Sequence, residues 1–253
     1  MKSPSRISNL KTRLDKILVE NGLAGSRERA RALIMAGRVL VDRTPIDKPG
    51  SLVSKEASVV LKGEDIPFVS RGGLKLQEAL NAYKIDVNGL DCLDVGASTG
   101  GFTDCLLQRG ASRVFAVDVG YGQLAWSLRN DLRVVTIERT NIRYMPKEAL
   151  SGPVDFATID VSFISLRIVV PAIIKFLKNN ARIAALIKPQ FEVGKGKVGK
   201  GGVVRDPVLH QSVIDSLCAF FSETGFTHEP VIPSPILGPK GNKEFFVLLQ
   251  FND

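Results

Sequence analysis

The sequence is poor in the residues on which most hydrolases and metalloenzymes depend. Two histidines, three cysteines and one tryptophan occur in 253 residues. His210 and His228 stand apart, with no partners at zinc-ligand spacing, and no Ser/His/Asp pattern accompanies them. Cys92, Cys105 and Cys218 show no CxxC spacing and sit in apolar or helical stretches, as reduced core cysteines of a cytoplasmic protein do. No apolar run approaches the ~18 to 20 residues needed to cross a bilayer. The basic opening, MKSPSRISNLKTRLDKILVE, lacks a signal peptide's apolar core and runs directly into a helical pattern. Internal repeats and low-complexity tracts are also missing. A soluble, cytoplasmic, metal-free protein is the expectation, with a monomer as its default state and no protein partner indicated.

What is present is unevenly distributed charge. Residues 1–63 carry 13 Lys and Arg against 6 Asp and Glu, whereas residues 64–253 carry 21 against 20. Nearly all of the net +8 therefore lies in the first quarter, which points to a polyanion-binding module joined to a neutral body. Leu10, Leu14, Ile17 and Leu18 form a helical stripe that stops at Asn21-Gly22. Ser26 suits the N-cap of a second helix, RERARALIMA, which Gly37 ends. Arg27, Arg29 and Arg31 crowd its first turns against the helix dipole, either as a solvated face or as a phosphate-facing set. RVLV and ASVVL read as strands around the turn-rich TPIDKPGS.

From RLDKILVENGLAGSRERARALIMAGRVLVD through IDKPGSLV, this unit resembles the S4-type RNA-binding domain, a small α+β fold. The resemblance implies that Arg13, Ser26, Arg27, Arg31 and Lys48 face structured RNA, with Lys16 and Arg29 as neighbours in the set. Such domains read shape and backbone, which suits Arg and Lys contacts to phosphate. The domain is expected over residues 1–63 and a linker over residues 64–73, within KGEDIPFVSRGGLKL. Arg71 in that linker is a further candidate for RNA contact.

From Leu74 a helix begins, and residues 74–253 read as a second domain. After Gly89 the strands CLDV, VFAVDV, VVTIE, VDFATIDV and ARIAALIK alternate with helical patterns, the signature of a doubly wound, mostly parallel α/β sheet. The last two strands, HEPVIPSPI and EFFVLLQF, are joined only by GPKGNK and should run antiparallel at one sheet edge.

The turn after the first strand, Gly96-Ala97-Ser98-Thr99-Gly100-Gly101, departs by one residue from the dinucleotide fingerprint G-x-G-x-x-G. Ser98 stands where the second glycine admits a pyrophosphate. S-adenosylmethionine has no phosphate, and its methionine end presents a carboxylate and an amine to which a serine adds a donor. Asp118, 22 positions after Gly96, ends the second strand where a carboxylate can accept both ribose hydroxyls. Alone, the turn is equally a tight strand-to-helix connection. The reversed last strand decides, because NAD domains keep their sheets parallel. The domain resembles the Rossmann-like class I methyltransferase fold, which carries such a strand. That resemblance extends the S-adenosylmethionine set to Phe102, Thr103, Val119, Asn141, Ile142 and Asp160, with Asn141 near the adenine.

Gly194-Lys-Gly-Lys-Val-Gly-Lys-Gly201 nearly spells a P-loop, but Gly201 replaces the Ser or Thr that would hold magnesium, and Pro207 is the better helix start. A basic loop offering Lys195, Lys197 and Lys200 to a polyanion fits better, beside the alternative of plain solvation. Lys75, Asp160, Lys188 and Glu244 stand at strand or helix ends that a doubly wound sheet brings to one rim. In that order they resemble the K-D-K-E set of FtsJ-like ribose 2′-O-methyltransferases. With SRGGLKL, DVGASTGGFTD and IKPQFE, the whole chain resembles the TlyA (haemolysin A) family. The resemblance implies methyl transfer to a cytidine 2′-OH of 16S or 23S ribosomal RNA, on naked RNA or a subunit. Lys188 would be the base or hydroxyl-orienting group, Asp160 its positioner, and Lys75 and Glu244 the holders of the ribose. Two alternatives from other classes are a membrane-active haemolysin and a non-catalytic ribosome-assembly factor.

Overall fold

The computed structural model describes residues 11–35, 37–62, 66–194 and 196–251. The chain falls into two units, Met1–Ile66 and Pro67–Asp253. In the first, strand β1 (Lys11–Arg13) leads into α1 (Leu14–Glu20) and α2 (Arg27–Met35). Four short strands follow: β2 (Val39–Val41), β3 (Thr44–Ile46), β4 (Leu52–Ser54) and β5 (Val59–Leu61). β1 pairs antiparallel with β4, and β3-β2-β5 form a second small sheet. Leu14, Ile17 and Leu18 pack with Ala30, Leu33, Ile34, Val39, Val41 and Val59, so both helices bury the faces that their spacing marks. The Ser26 hydroxyl accepts the Arg29 N–H at 3.1 Å and caps α2.

Two expectations need correction here. Lys11–Arg13, read as the start of a helix, is extended because it pairs with Leu52–Ser54; Leu10 lies outside the described residues. TPIDKPGS, read as turn, contains β3, whose three residues are too few to show alternation.

The second unit holds α3 (Gly72–Ala82), then β6 (Asp91–Val95), α4 (Gly101–Gln108), β7 (Arg113–Val117), α5 (Trp126–Arg129) and β8 (Val134–Ile137). It continues with β9 (Val154–Ile159), α6 (Leu166–Ile173), β10 (Leu177–Ile187), α7 (Pro189–Glu192) and α8 (Pro207–Glu223), and ends with β11 (Phe226–His228), β12 (Ile232–Pro233) and β13 (Phe245–Phe251). The strand order is β11-β13-β10-β9-β6-β7-β8, with β12 also on β13. β10, β9, β6, β7 and β8 are parallel, and β13 alone is reversed between β10 and β11. This is the class I methyltransferase sheet. The reversed strand lies one place in from the edge, because β11 and β12 pair outside it.

The central strands are apolar on both faces, with Ile183 through Ile187 buried without interruption, as a sheet covered on both sides requires. Asp206 caps α8 by accepting the Val208 N–H at 2.8 Å, so that helix does start at Pro207. α3 begins two residues before Leu74. Residues 67–71, read as linker, pack within the second unit: Phe68 is buried, the Val69 N–H donates to Asp104, and Gln108 donates to the Pro67 carbonyl. Glu64 and Asp65 of the expected linker lie outside the described residues. Among the described residues, no helix is long and apolar enough to cross a membrane.

Candidate functional site

In an open parallel sheet the ligand crevice lies beyond the carboxyl ends of the strands, where the order reverses. Here β6 is flanked by β7 on one side and β9 on the other. Two cavities meet there. One, of about 560 Å³, is lined by Asp118, Val119, Asn141, Ile142 and Phe163 among others. The second, of about 440 Å³, is lined by Arg71, Lys75, Thr99, Gly101, Phe102 and Lys188 among others. Gly96, Ser98, Asp160 and Ser162 line both.

The four rim residues come together as two ion pairs. Ile187 at the end of β10 registers with Phe245 at the start of β13, so their neighbours Lys188 and Glu244 share one edge. Asp160 follows β9, and Lys75 sits in the first turns of α3. Lys75 Nζ lies 2.6 Å from Glu244 Oε2, and Lys188 Nζ lies 2.5 Å from Asp160 Oδ1. Lys188 also donates to the Ser162 hydroxyl at 3.2 Å. Lys75, Lys188 and Glu244 are all buried, so two cations and two anions share a poorly solvated rim with no net charge. Such pairing holds both lysine heads in place without fixing a counterion from solvent.

The glycine turn supports this rim from below. Gly96 has φ +86°, and a Cβ there would stand 2.5 Å from the Asp160 carbonyl oxygen. A Cβ on Gly101 would meet Ser70 Oγ at 2.2 Å and the Gly73 nitrogen at 2.9 Å, which ties the start of α4 to the start of α3. Ser98 adopts φ +49°, a left-handed conformation that favours glycine. Its N–H donates to Asp118 at 2.8 Å, and the Gly120 N–H donates to the other Asp118 oxygen at 2.7 Å. The carboxylate retains acceptor sites on both oxygens for a ribose diol.

Not every expected cofactor residue reaches a cavity. Thr103 is fully buried, donates to Asp94 at 2.6 Å and lines neither cavity. Gly100 is buried against Leu124 and Leu128 and lines neither. Ala97, Thr99 and Phe102 line the smaller cavity, with the Phe102 ring stacked on Phe246. Asp94 carries no signal of its own in the sequence, yet it is the buried acceptor that anchors the turn. It accepts from Thr103 and from Thr158 at 3.0 Å, and burial pushes its carboxyl up to about 6. Ser162 and Phe163 are equally unmarked in the sequence. Phe163 is 89% exposed at φ +64° and packs its ring 4.9 Å from Phe191.

Of the residues expected to face RNA, Arg71 lines the smaller cavity. Lys197 and Lys200 are exposed but line neither of the two cavities, and Lys195 lies outside the described residues. In the first unit, Arg13, Lys16, Ser26, Arg27, Arg31 and Lys48 are exposed and Arg29 is half-buried. Ser26 is engaged as a cap, Lys16 pairs with Glu20 at 3.5 Å, and Arg29 donates to the Ile66 carbonyl at 3.0 Å. Arg13 and Arg27 converge on Asp15. The segment carrying Lys48 is bonded to the same place, through Leu14 N–H to the Ser51 carbonyl and Asp15 N–H to the Pro49 carbonyl.

Comparisons with known proteins agree with this architecture. Residues 68–251 match the FtsJ-like methyltransferase family, and residues 12–59 match the S4 domain. The chain is 50% identical over 241 residues to the 16S/23S rRNA (cytidine-2′-O)-methyltransferase TlyA of Mycobacterium tuberculosis, covering 95% of this chain and 90% of that one. It is 47% identical over 246 residues to YqxC of Bacillus subtilis, provisionally described as an rRNA methyltransferase, covering 97% of this chain and 88% of that one. The solved structure of a Streptococcus thermophilus protein, provisionally described as a hemolysin, superposes with a TM-score of 0.75 at 42% identity, over 97% of this chain and 90% of the other. The sheet order, the paired rim charges and these matches together establish that the chain belongs to the TlyA family of FtsJ-like methyltransferases with an S4 domain.

Proposed function

We propose that the protein transfers the methyl group of S-adenosylmethionine to the 2′-hydroxyl of a cytidine in 16S or 23S ribosomal RNA. The observation that carries this reading is the two ion pairs, Lys75–Glu244 and Lys188–Asp160, with both lysines lining the smaller cavity and Asp160 lining both. The larger cavity suits an adenosyl group, with Asp118 for the ribose and Asn141 and Ile142 at the base end. When bound there, S-adenosylmethionine supplies an electrophilic methyl on a sulfonium, so the protein's task is mainly in-line positioning.

The ribose hydroxyl enters through the smaller cavity, where the Lys188 ammonium orients it by donating to its oxygen, and the hydroxyl proton passes to solvent as the new methyl bond forms. Asp160 and Ser162 hold the Lys188 head at the junction of the cavities. Lys75, fixed by Glu244, holds the adjacent ribose oxygen and balances the local charge. A nucleotide inside structured RNA reaches such a site only by leaving its stack. The exposed Phe163 ring offers the extruded base a stacking face. Tyr121 and Tyr144, both exposed and each under an arginine (Arg139 at 4.0 Å, Arg143 at 5.0 Å), offer further cationic, aromatic faces.

The test is incubation of the purified protein with labelled S-adenosylmethionine and ribosomal RNA or subunits from a strain lacking it. Label in a cytidine ribose is expected, and Lys188→Ala should abolish it while S-adenosylmethionine still binds. Full transfer by Lys188→Ala refutes the assignment of Lys188. Lysis of red cells without any label refutes the enzyme itself.

A further inference from the structure

Within α1 the buried side chains are Leu14, Asp15, Ile17 and Leu18, of which one is charged. The Asp15 side chain has no exposed surface, yet its two ion-pair partners are half-exposed: Arg13 at 50% and Arg27 at 60%. Arg13 binds it as a fork, Nε to Oδ1 at 3.0 Å and Nη2 to Oδ2 at 2.9 Å. Arg27, 12 residues away on the next helix, places Nη2 on the same Oδ2 at 3.0 Å. Two guanidinium groups sharing one oxygen stand within about 6 Å of each other, where unaided they would repel.

Stability alone is a weak reason for this arrangement. Half-exposed ion pairs contribute little, and burying a carboxylate carries a desolvation cost that an apolar side chain beside Leu14 and Leu18 would avoid. Geometry is a better reason. Each guanidinium has five donors, and Asp15 occupies two N–H directions of Arg13 and one of Arg27. That leaves three N–H directions on Arg13 and four on Arg27, both on half-exposed side chains, in a group with a net charge of +1. We propose that Asp15, which touches no RNA, is the positioning residue that locks Arg13 and Arg27 into a single phosphate clamp. This rests on the reading of the first unit as RNA-binding. The Arg13 hydrogen bonds, with help from Arg27, hold the Asp15 carboxyl down to about 2 despite its burial, so the lock is closed at every physiological pH.

The experiment is binding of full-length wild type, Asp15→Asn, Arg27→Ala and the double variant to ribosomal RNA from a strain lacking the protein, across a salt series. Asp15→Asn makes the unit more positive, so charge alone predicts tighter binding and a steeper salt dependence. Positioning predicts about 10-fold weaker binding and a salt slope shallower by about one. It also predicts that the double variant binds no more than about 3-fold more weakly than Arg27→Ala, because both changes disable one clamp. Unchanged or tighter binding by Asp15→Asn, or additive losses, overturns the proposal. If wild type itself does not bind RNA, the RNA reading fails instead. If Asp15→Asn unfolds the first unit, Arg27→Lys carries the test, since it keeps the charge and loses the fork. A loss of about 5-fold is then expected, and undiminished affinity overturns the clamp.

Discussion

Replacing Glu244 by Gln tests the central claim about the rim, that its charges are balanced in pairs with little help from water. The Glu244 side chain is fully enclosed and that of Lys75 is 10% exposed, with 2.6 Å between them. Gln is isosteric, so its packing against Gly238 is preserved while the anion is lost. The rim then carries two lysines against Asp160 alone. Breaking a buried pair from one side typically costs about 3–5 kcal/mol, because an uncompensated charge stays behind. In a unit of this size, each kcal/mol lowers the melting temperature by about 2–4 °C, giving a fall of about 6–20 °C by calorimetry. The informative control is Lys75→Met with Glu244→Leu, which removes both charges at similar volume. Its stability should return to within about 1 kcal/mol of wild type, while methyl transfer is lost in both variants. A single variant that melts like wild type, or a double variant as unstable as the single one, refutes the picture of a balanced, desolvated pair.

Asp94 has a carboxyl raised to about 6 by burial, against a usual 3.8. A raised carboxyl weakens the fold fully above pH 6, and this effect fades as protonation sets in on the way down to 3.8. Asp94→Asn should therefore gain most over wild type at pH 7.5, and the gap should narrow by about 1.4 kcal/mol at pH 5 in urea titrations. A gap that widens on acidification contradicts the burial argument. In the glycine turn, Gly96→Ala places a methyl 2.5 Å from the Asp160 carbonyl at φ +86°. A loss of about 2–4 kcal/mol is expected, with methyl transfer falling further than stability because Asp160 must move. Ser98→Gly releases a left-handed serine but adds unfolded-chain entropy, so its stability should stay within about 0.5 kcal/mol and S-adenosylmethionine affinity should be retained. A marked loss of affinity there would show that the Ser98 hydroxyl is needed.

Much of this architecture can be read without coordinates, for identifiable reasons. Strands buried on both faces write themselves as apolar runs, so β6, β7, β9 and β10 are visible, and the short GPKGNK connection forces β13 to run backwards. Three of the four rim residues are legible because each follows or precedes such a run, whereas Lys75 is marked by the SRGG that opens its helix. What is hidden has a common cause, namely contacts between residues distant in sequence. β1 exists only through pairing with Leu52–Ser54; β3 is the exception, the short partner of β2 in a tight hairpin across Asp42-Arg43. Pro67–Arg71 looks like a tether and is in fact held by Asp104 and Gln108 of α4. Thr103 sits beside a glycine-rich motif and reads as part of it, but helical rotation turns its hydroxyl to Asp94, 9 residues back.

The turn from Gly96 to Gly101 shows how far a motif can be right for an incomplete reason. A fingerprint is usually explained from the ligand's side, with glycines leaving room for what binds. In this protein all three glycines of the turn leave room for the protein itself, Gly100 for Leu124 and Leu128. Gly96 admits the backbone of Asp160, which holds Lys188, and Gly101 admits the start of the helix that carries Lys75. Ser98, exposed and bonded through its N–H to Asp118, is the position of the turn that opens on both cavities. The serine that departs from the dinucleotide pattern is therefore the member of the turn left facing the cavities. The glycines that obey the pattern bear on whether both lysines arrive at the same rim.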